Sequence, residues 1–193
     1  MPNHITHHKL VTFLHARAAG HAPFVIGLSG FGGSGKSMAA EKLATALGDA
    51  DVIHLDDFIL DRLSARSADW DGFEWTRLIA QVLRPVSQEK KTITYDAYDW
   101  ATNRLASKKM LNVRTFVIVE GVGLIRSLLK PYFDATIWID LPLEVAAARG
   151  ARRDREEYKA MNDELWETRW VPNDRDYFDK YHPRDKSDFL LTE

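Results

Sequence analysis

The sequence predicts an α/β fold in which a parallel sheet is flanked by helices. Three observations carry this reading. Short apolar runs alternate with segments of helical periodicity, a glycine-rich run joins the first such strand to a long helix, and acidic residues follow three of the strands directly. Parallel strands covered on both faces read as continuous apolar runs, and ligands of such sheets gather at the carboxyl ends of the strands. At 193 residues the chain has room for one domain with a substantial core, and we read 1–193 as a single unit.

The elements follow in order. Leu10, Val11, Phe13 and Leu14 within residues 9–19 predict a short helix, so that residues 1–22 form an N-terminal helical extension. Phe24 to Leu28 reads as a buried strand, and Met38, Ala39, Ala40, Leu43, Ala44 and Leu47 recur at helical spacing up to Gly48. Val52 to Leu55 is a second strand, ending at Asp56-Asp57-Phe58. The polar residues 61–73 read as a loop or lid. Residues 74–83 predict a helix that Pro85 stops, and Thr92 to Tyr95 a short strand leading into Tyr98-Asp99-Trp100. Thr115 to Val119 and Ala135 to Ile139 are clear buried strands, ending at Glu120 and Asp140, and Pro142 is placed to start a helix.

The run Gly30-Phe31-Gly32-Gly33-Ser34-Gly35-Lys36-Ser37 matches G-x-x-x-x-G-K-[ST] in full, in the strand–loop–helix context this phosphate-binding P-loop requires. Glycines let the backbone curl so that successive N–H groups face anionic oxygens. Lys36 supplies a point charge for the β- and γ-phosphates, and the Ser37 hydroxyl suits Mg²⁺. Gly30, Asp56 and Glu120 all fall at strand ends, which is a second, independent pointer to one site. A carboxylate there suits a phosphotransferase that must orient a hydroxyl and accept its proton; an Asp pair in isolation reads first as a turn or helix cap, but the glycine loop favours the chemical role for Asp56 and leaves Asp57 open to either. Glu120 after Phe116-Val117-Ile118-Val119 fits the Walker B pattern, supporting Mg²⁺ directly or through water. Arg149, Arg152 and Arg153 share one helix face, either as a phosphate clamp or as a solvated face laced with Asp154, Glu156 and Glu157. Tyr98, Trp100 and Arg104 suit stacking on a planar substrate, whereas Trp166, Trp170, Tyr177 and Phe178 read as packing residues.

Composition narrows the class further. The net charge of −2 argues against a general nucleic-acid binder, and the lack of cysteine removes disulfides, thiolate metal sites and a cysteine nucleophile. No apolar run approaches the length of a membrane span, and the polar start Met1-Pro2-Asn3-His4 lacks the apolar core of a signal peptide, so a cytoplasmic protein is expected. His4, His7 and His8 read as part of a solvated, mobile tail rather than a metal cluster.

These motifs together resemble the uridine kinase-like family of P-loop kinases, which includes phosphoribulokinase, type I pantothenate kinase and nicotinamide riboside kinase. The glycine run, Leu55-Asp56-Asp57-Phe58, Tyr98-Asp99-Trp100, Glu120-Gly121 and the arginines from Arg149 to Arg153 follow in the family's order between about residues 23 and 155. The resemblance implies a three-layer P-loop NTPase fold with a helical lid at about 143–160 and a substrate-side loop at about 61–73. It implies use of ATP (GTP being the alternative) with Mg²⁺, bound by Ser37 and Glu120, and transfer to a hydroxyl of a small molecule, with a nucleoside such as uridine or cytidine as first guess. Asp56 looks like the family's catalytic carboxylate. Lys36, Arg149 and Arg153 join it in catalysis, Arg152 and the glycine run hold the phosphates, and Asp56, Asp71, Tyr98 and Arg104 meet the acceptor. The chain departs from the family's pattern at Asn103, where a histidine is usual, and at Ile59, where a tyrosine is usual. Pantothenate, nicotinamide riboside, sugars and sugar phosphates remain as other acceptors. A nucleotide-dependent switch is the reading from another class, disfavoured because Asn-Lys-x-Asp and Ser-Gly-Gly-Gln stretches are absent.

Overall fold

The computed structural model describes residues 2–21, 23–60, 66–67 and 69–192. Six parallel strands form the sheet in the order β1 (Asn3–Ile5), β8 (Phe189–Leu191), β7 (Ala135–Ile139), β2 (Phe24–Ser29), β6 (Phe116–Glu120), β3 (Ala50–His54). Every residue of β2, β6 and β7 is buried, as strands covered on both faces must be. Alternate side chains serve opposite faces. Ile26, Leu28, Ile118 and Ile137 pack under α1 (His7–Ala18) and α2 (Lys36–Leu47), whereas Val25, Val117, Val119 and Trp138 face the second core. That second layer contains α3, a continuous run of Trp75–Leu78, Ile79–Leu83 and Arg84–Ser87. The helix α4 spans Leu143–Glu156. It is followed by α5, which runs through Asp163–Leu165, Trp166–Trp170 and Val171–Tyr181, and by the short α6 (Pro183–Lys186). Among the described residues no helix is long and apolar enough to cross a membrane.

Three local expectations need correction. Pro85 does not stop α3, which continues to Ser87. Its middle segment, Ile79–Leu83, winds as a π-helix directly before the proline, and Trp166–Trp170 does the same before Pro172 in α5. A proline lacks the N–H that the preceding turn expects, and widening that turn relieves both the missing bond and the ring clash. The expected N-terminal tail is instead anchored, because Asn3–Ile5 pairs in parallel with Phe189–Leu191 at the sheet edge. The short strand at residues 92–95 is one arm of a hairpin, β4 (Thr92–Asp99) against β5 (Arg104–Asn112), with a bulge at Ala97/Tyr98. Of the polar loop expected at 61–73, residues 61–65 and 68 lie outside the described residues.

Candidate active site

The glycine run forms a tight loop from the end of β2 into α2. Gly33 and Gly35 have φ of +79° and +87°, and a Cβ on Gly33 would meet the Ala146 carbonyl oxygen at 2.1 Å. Glycine is therefore required there both by the backbone and by the close approach of α4. The Ser34 N–H and the Lys36 Nζ both donate to the Phe31 carbonyl, each at 3.1 Å, and draw the loop into a curl. Lys36 and Ser37 are the first residues of α2, so the positive end of the helix faces the cleft. Phe31 itself points inward, edge-on to Trp138 with ring centroids 5.1 Å apart, so its side chain is packing and only its backbone belongs to the loop.

Two strand-end carboxylates face this loop across a cleft of about 200 Å³, whose walls include Gly32, Gly33, Lys36, Ser37, Asp56 and Glu120. Glu120, at the end of β6, is buried and accepts from the Ser37 hydroxyl at 3.1 Å and from His54 Nδ1 at 2.7 Å, both on Oε1. The bond to Glu120 raises the His54 pKa above its ordinary value. Asp56, in the 3₁₀ turn Leu55–Phe58, opens to the cleft solvent yet is walled by protein. Desolvation and the neighbouring Glu120 charge raise its pKa, against the opposing pull of Lys36 and His54. Its neighbour Asp57 has a different task. It is buried, receives both of its ion-pair contacts from Lys109 Nζ at 2.8 Å, and is reached by the Tyr95 hydroxyl at 3.3 Å, which ties the turn to the hairpin.

The remaining walls are aromatic: Trp70, Phe73, Trp100, Trp166 and Trp170 line the cleft, with Arg153 at its edge. Trp166 and Trp170 meet edge-on with centroids 4.9 Å apart, as their spacing predicts, but they are cleft walls as well as packing residues. The Trp166 ring lies against Gly32 and Gly150, where added Cβ atoms would approach it to 3.2 Å and 2.3 Å. Asp154 organises this corner. It is buried and accepts from the Trp166 indole N–H at 2.9 Å, from Asn162 at 3.1 Å and from Arg153 at 3.0 Å. It is thus a positioning residue for Arg153, not a member of a solvated charge lacing. Nothing in the sequence signalled this, since Asp154 stands among Arg152, Arg153, Arg155, Glu156 and Glu157 like any member of a charged helix face.

Several residues singled out from the sequence do not line this cleft. Arg149 and Arg152 share α4 with Arg153 but are absent from its walls. Asp71 is exposed and accepts from the Ser67 hydroxyl at 2.8 Å. Tyr98 is buried, with its hydroxyl bonded to Asn103 and its ring edge-on to Trp100 at 5.3 Å, so it supports the cleft wall from behind. Arg104 is an exposed hairpin residue opposite Asp99. Conversely, Asp174 of α5 escaped sequence reasoning altogether. It accepts from the Gly32 N–H at 2.7 Å across 142 positions, and only the folded chain brings the two together.

Two larger cavities flank the site. One of about 610 Å³ lies behind Phe31 and Trp138 and includes neither Lys36, Asp56 nor Glu120. The other, of about 470 Å³, adjoins the first turn of α2 at Ser34, Gly35 and Met38, with Ile139 and Leu191 as apolar walls.

No family model matches the chain. Solved structures do. The chain is similar to a proposed uridine kinase from Bacillus stearothermophilus, with a TM-score of 0.72 and 21% identity over 95% of this chain and 98% of the other. It is similar to a proposed fructose transport system kinase from Silicibacter sp. TM1040, with a TM-score of 0.76 and 21% identity over 98% and 99% of the two chains. It is also similar to YFH7 from Saccharomyces cerevisiae, described as a proposed P-loop-containing kinase with a circular permutation, at a TM-score of 0.65 and 12% identity over 98% and 99%. This chain, a six-stranded parallel sheet between helices with the glycine loop at the end of its central strand, has the fold of the P-loop kinases.

Proposed function

We propose that this protein is an ATP-dependent phosphotransferase of the uridine kinase-like type, acting on a hydroxyl of a small molecule. The single observation that carries the proposal is the convergence of Lys36, Ser37, Asp56 and Glu120 on one cleft at the carboxyl ends of β2, β3 and β6. In this reading the polyphosphate lies on the loop N–H groups, and the apolar cavity beside Met38 takes the base. Lys36 exchanges its bond to the Phe31 carbonyl for the transferring phosphoryl group. Asp56 orients the acceptor hydroxyl and accepts its proton as the oxygen attacks phosphorus and the bond to the leaving nucleoside diphosphate breaks. Its raised pKa makes it a better base than an ordinary carboxylate. Arg153, held by Asp154, balances charge on the phosphoryl oxygens, and the tryptophan walls exclude water that would otherwise hydrolyse the nucleotide.

The Ser37 hydroxyl and the Glu120 carboxylate, 3.1 Å apart at the helix start, are hard oxygen donors of the kind Mg²⁺ takes. When bound there, Mg²⁺ neutralises polyphosphate charge.

A nucleoside is the acceptor supported by the motif resemblance. A sugar is the second reading, favoured by the tryptophan faces of the cleft, by the absence of Arg104 and Asp71 from its walls, and by the likeness to the proposed fructose transport system kinase. The test is ADP release from Mg²⁺-ATP across uridine, cytidine, nicotinamide riboside, pantothenate and a set of sugars. One acceptor should stimulate release strongly over the rate without acceptor. Slow hydrolysis that no acceptor accelerates would count against the kinase reading and for a switch.

A further inference from the structure

Asp174 presents an anion to the loop that is itself built to hold anions. It is 1% exposed. One oxygen accepts the Gly32 N–H at 2.7 Å, whereas the other, Oδ1, makes no bond of good geometry among the described residues, although the Trp70 indole N–H faces the carboxylate closely enough to favour its charged form. A buried carboxylate ordinarily satisfies both oxygens, so this one is held at a cost. Among the described residues, the groups that face it are few. They are the Gly32 N–H from the loop, the Lys36 ammonium from α2 and the Trp70 N–H from the segment before α3. Tyr177 on its own helix donates its hydroxyl to the Ile125 carbonyl, with the Arg126 cation beyond it. Gly32 and Trp70 both line the cleft that Lys36 enters, so a polyphosphate on the loop brings several negative charges close to this carboxylate. Two anions sharing one set of donors in a poorly solvated place do not both stay ionised.

We propose that Asp174 is a proton-linked member of the nucleotide site: binding of a polyphosphate on the glycine loop takes up one proton at its carboxyl group. The proton goes to Oδ1, which then becomes a donor, while Oδ2 keeps its bond to Gly32. Burial already raises the Asp174 pKa to about 7, so the linkage falls near neutral pH. This inference rests on the kinase reading only in taking the ligand to be a nucleotide polyphosphate.

The experiment is calorimetric titration of the full chain with Mg²⁺-ATP, without acceptor, from pH 6 to pH 8.5 in buffers of different ionisation enthalpy. Wild-type affinity should fall about tenfold between pH 7 and pH 8.5, with uptake approaching one proton per nucleotide. Asp174→Asn, which mimics the protonated acid in shape, should lose that slope and that uptake. Asp185→Asn, an exposed position absent from the cleft walls, should retain both. Binding with no proton uptake by the wild type at pH 8 would overturn the inference and needs no variant. Uptake that survives in Asp174→Asn and vanishes in Asp56→Asn would overturn it as well. Absence of binding at every pH would overturn the kinase reading together with this one, whereas binding without uptake overturns this one alone.

Discussion

The phosphate side and the acceptor side of the cleft are built by different means. The phosphate side is backbone: eight contiguous residues, a helix N-terminus and close contacts that leave no room for a Cβ at Gly33. The acceptor side is side chain: Trp70, Trp100 and Trp166 come from three separate segments and rest on buried supports such as Asp154 and Tyr98. A cradle made of peptide groups recognises what all polyphosphates share. A wall made of side chains can change with a few substitutions, so one fold serves many acceptors.

Substitutions on the two sides should therefore fail in different ways. The largest effect is expected for Gly33→Ala, whose methyl would sit 2.1 Å from a backbone oxygen at a φ of +79°, and nucleotide binding measured by calorimetry should be lost. Next comes Asp56→Asn, which should lower acceptor-dependent turnover by about 10²–10⁴-fold with nucleotide affinity little changed. In the wild type, the raised Asp56 pKa sets the acidic limb of the rate profile, so activity should fall with decreasing pH sooner than for an ordinary carboxylate. On the acceptor side, Asp154→Ala strands the Trp166 N–H and frees Arg153. It should cost about 1–3 kcal/mol in denaturant unfolding and raise KM for the acceptor more than for nucleotide. Asp174→Asn should also change how stability depends on pH. A carboxyl raised to about 7 in the fold stabilises fully below its unfolded value near 3.8 and loses that contribution as pH rises through 7. The melting temperature of the variant should then decline less between pH 5 and pH 8 than that of the wild type. The smallest effect is expected for Arg104→Ala, an exposed hairpin position, and a large rise in acceptor KM there would move the acceptor site toward the hairpin.

The same contrast decides what was legible in the sequence. The loop could be read because its chemistry is contiguous, and the strands β2, β6 and β7 because both faces are apolar. Asp56 and Glu120 could be read because a strand end fixes where a residue stands. The hairpin arm β5 could not, since Arg104–Asn112 is largely solvent-exposed and carries no burial pattern. Pro85 suggested a break that the π-turn before it absorbs. Trp166 gave the right spacing but not its task, because covering Gly32 depends on how α5 folds back over the loop. Asp174 left no local trace, since its partner lies 142 positions away.

The most direct measurement of the central claim is a paired one on Asp56→Asn. Equilibrium binding of Mg²⁺-ATP and acceptor-dependent ADP release would be followed on the same preparation. The account predicts binding within about threefold of wild type and turnover lower by at least about 10²-fold. Turnover that survives at the wild-type level would remove Asp56 from the chemistry and with it the assignment of this cleft.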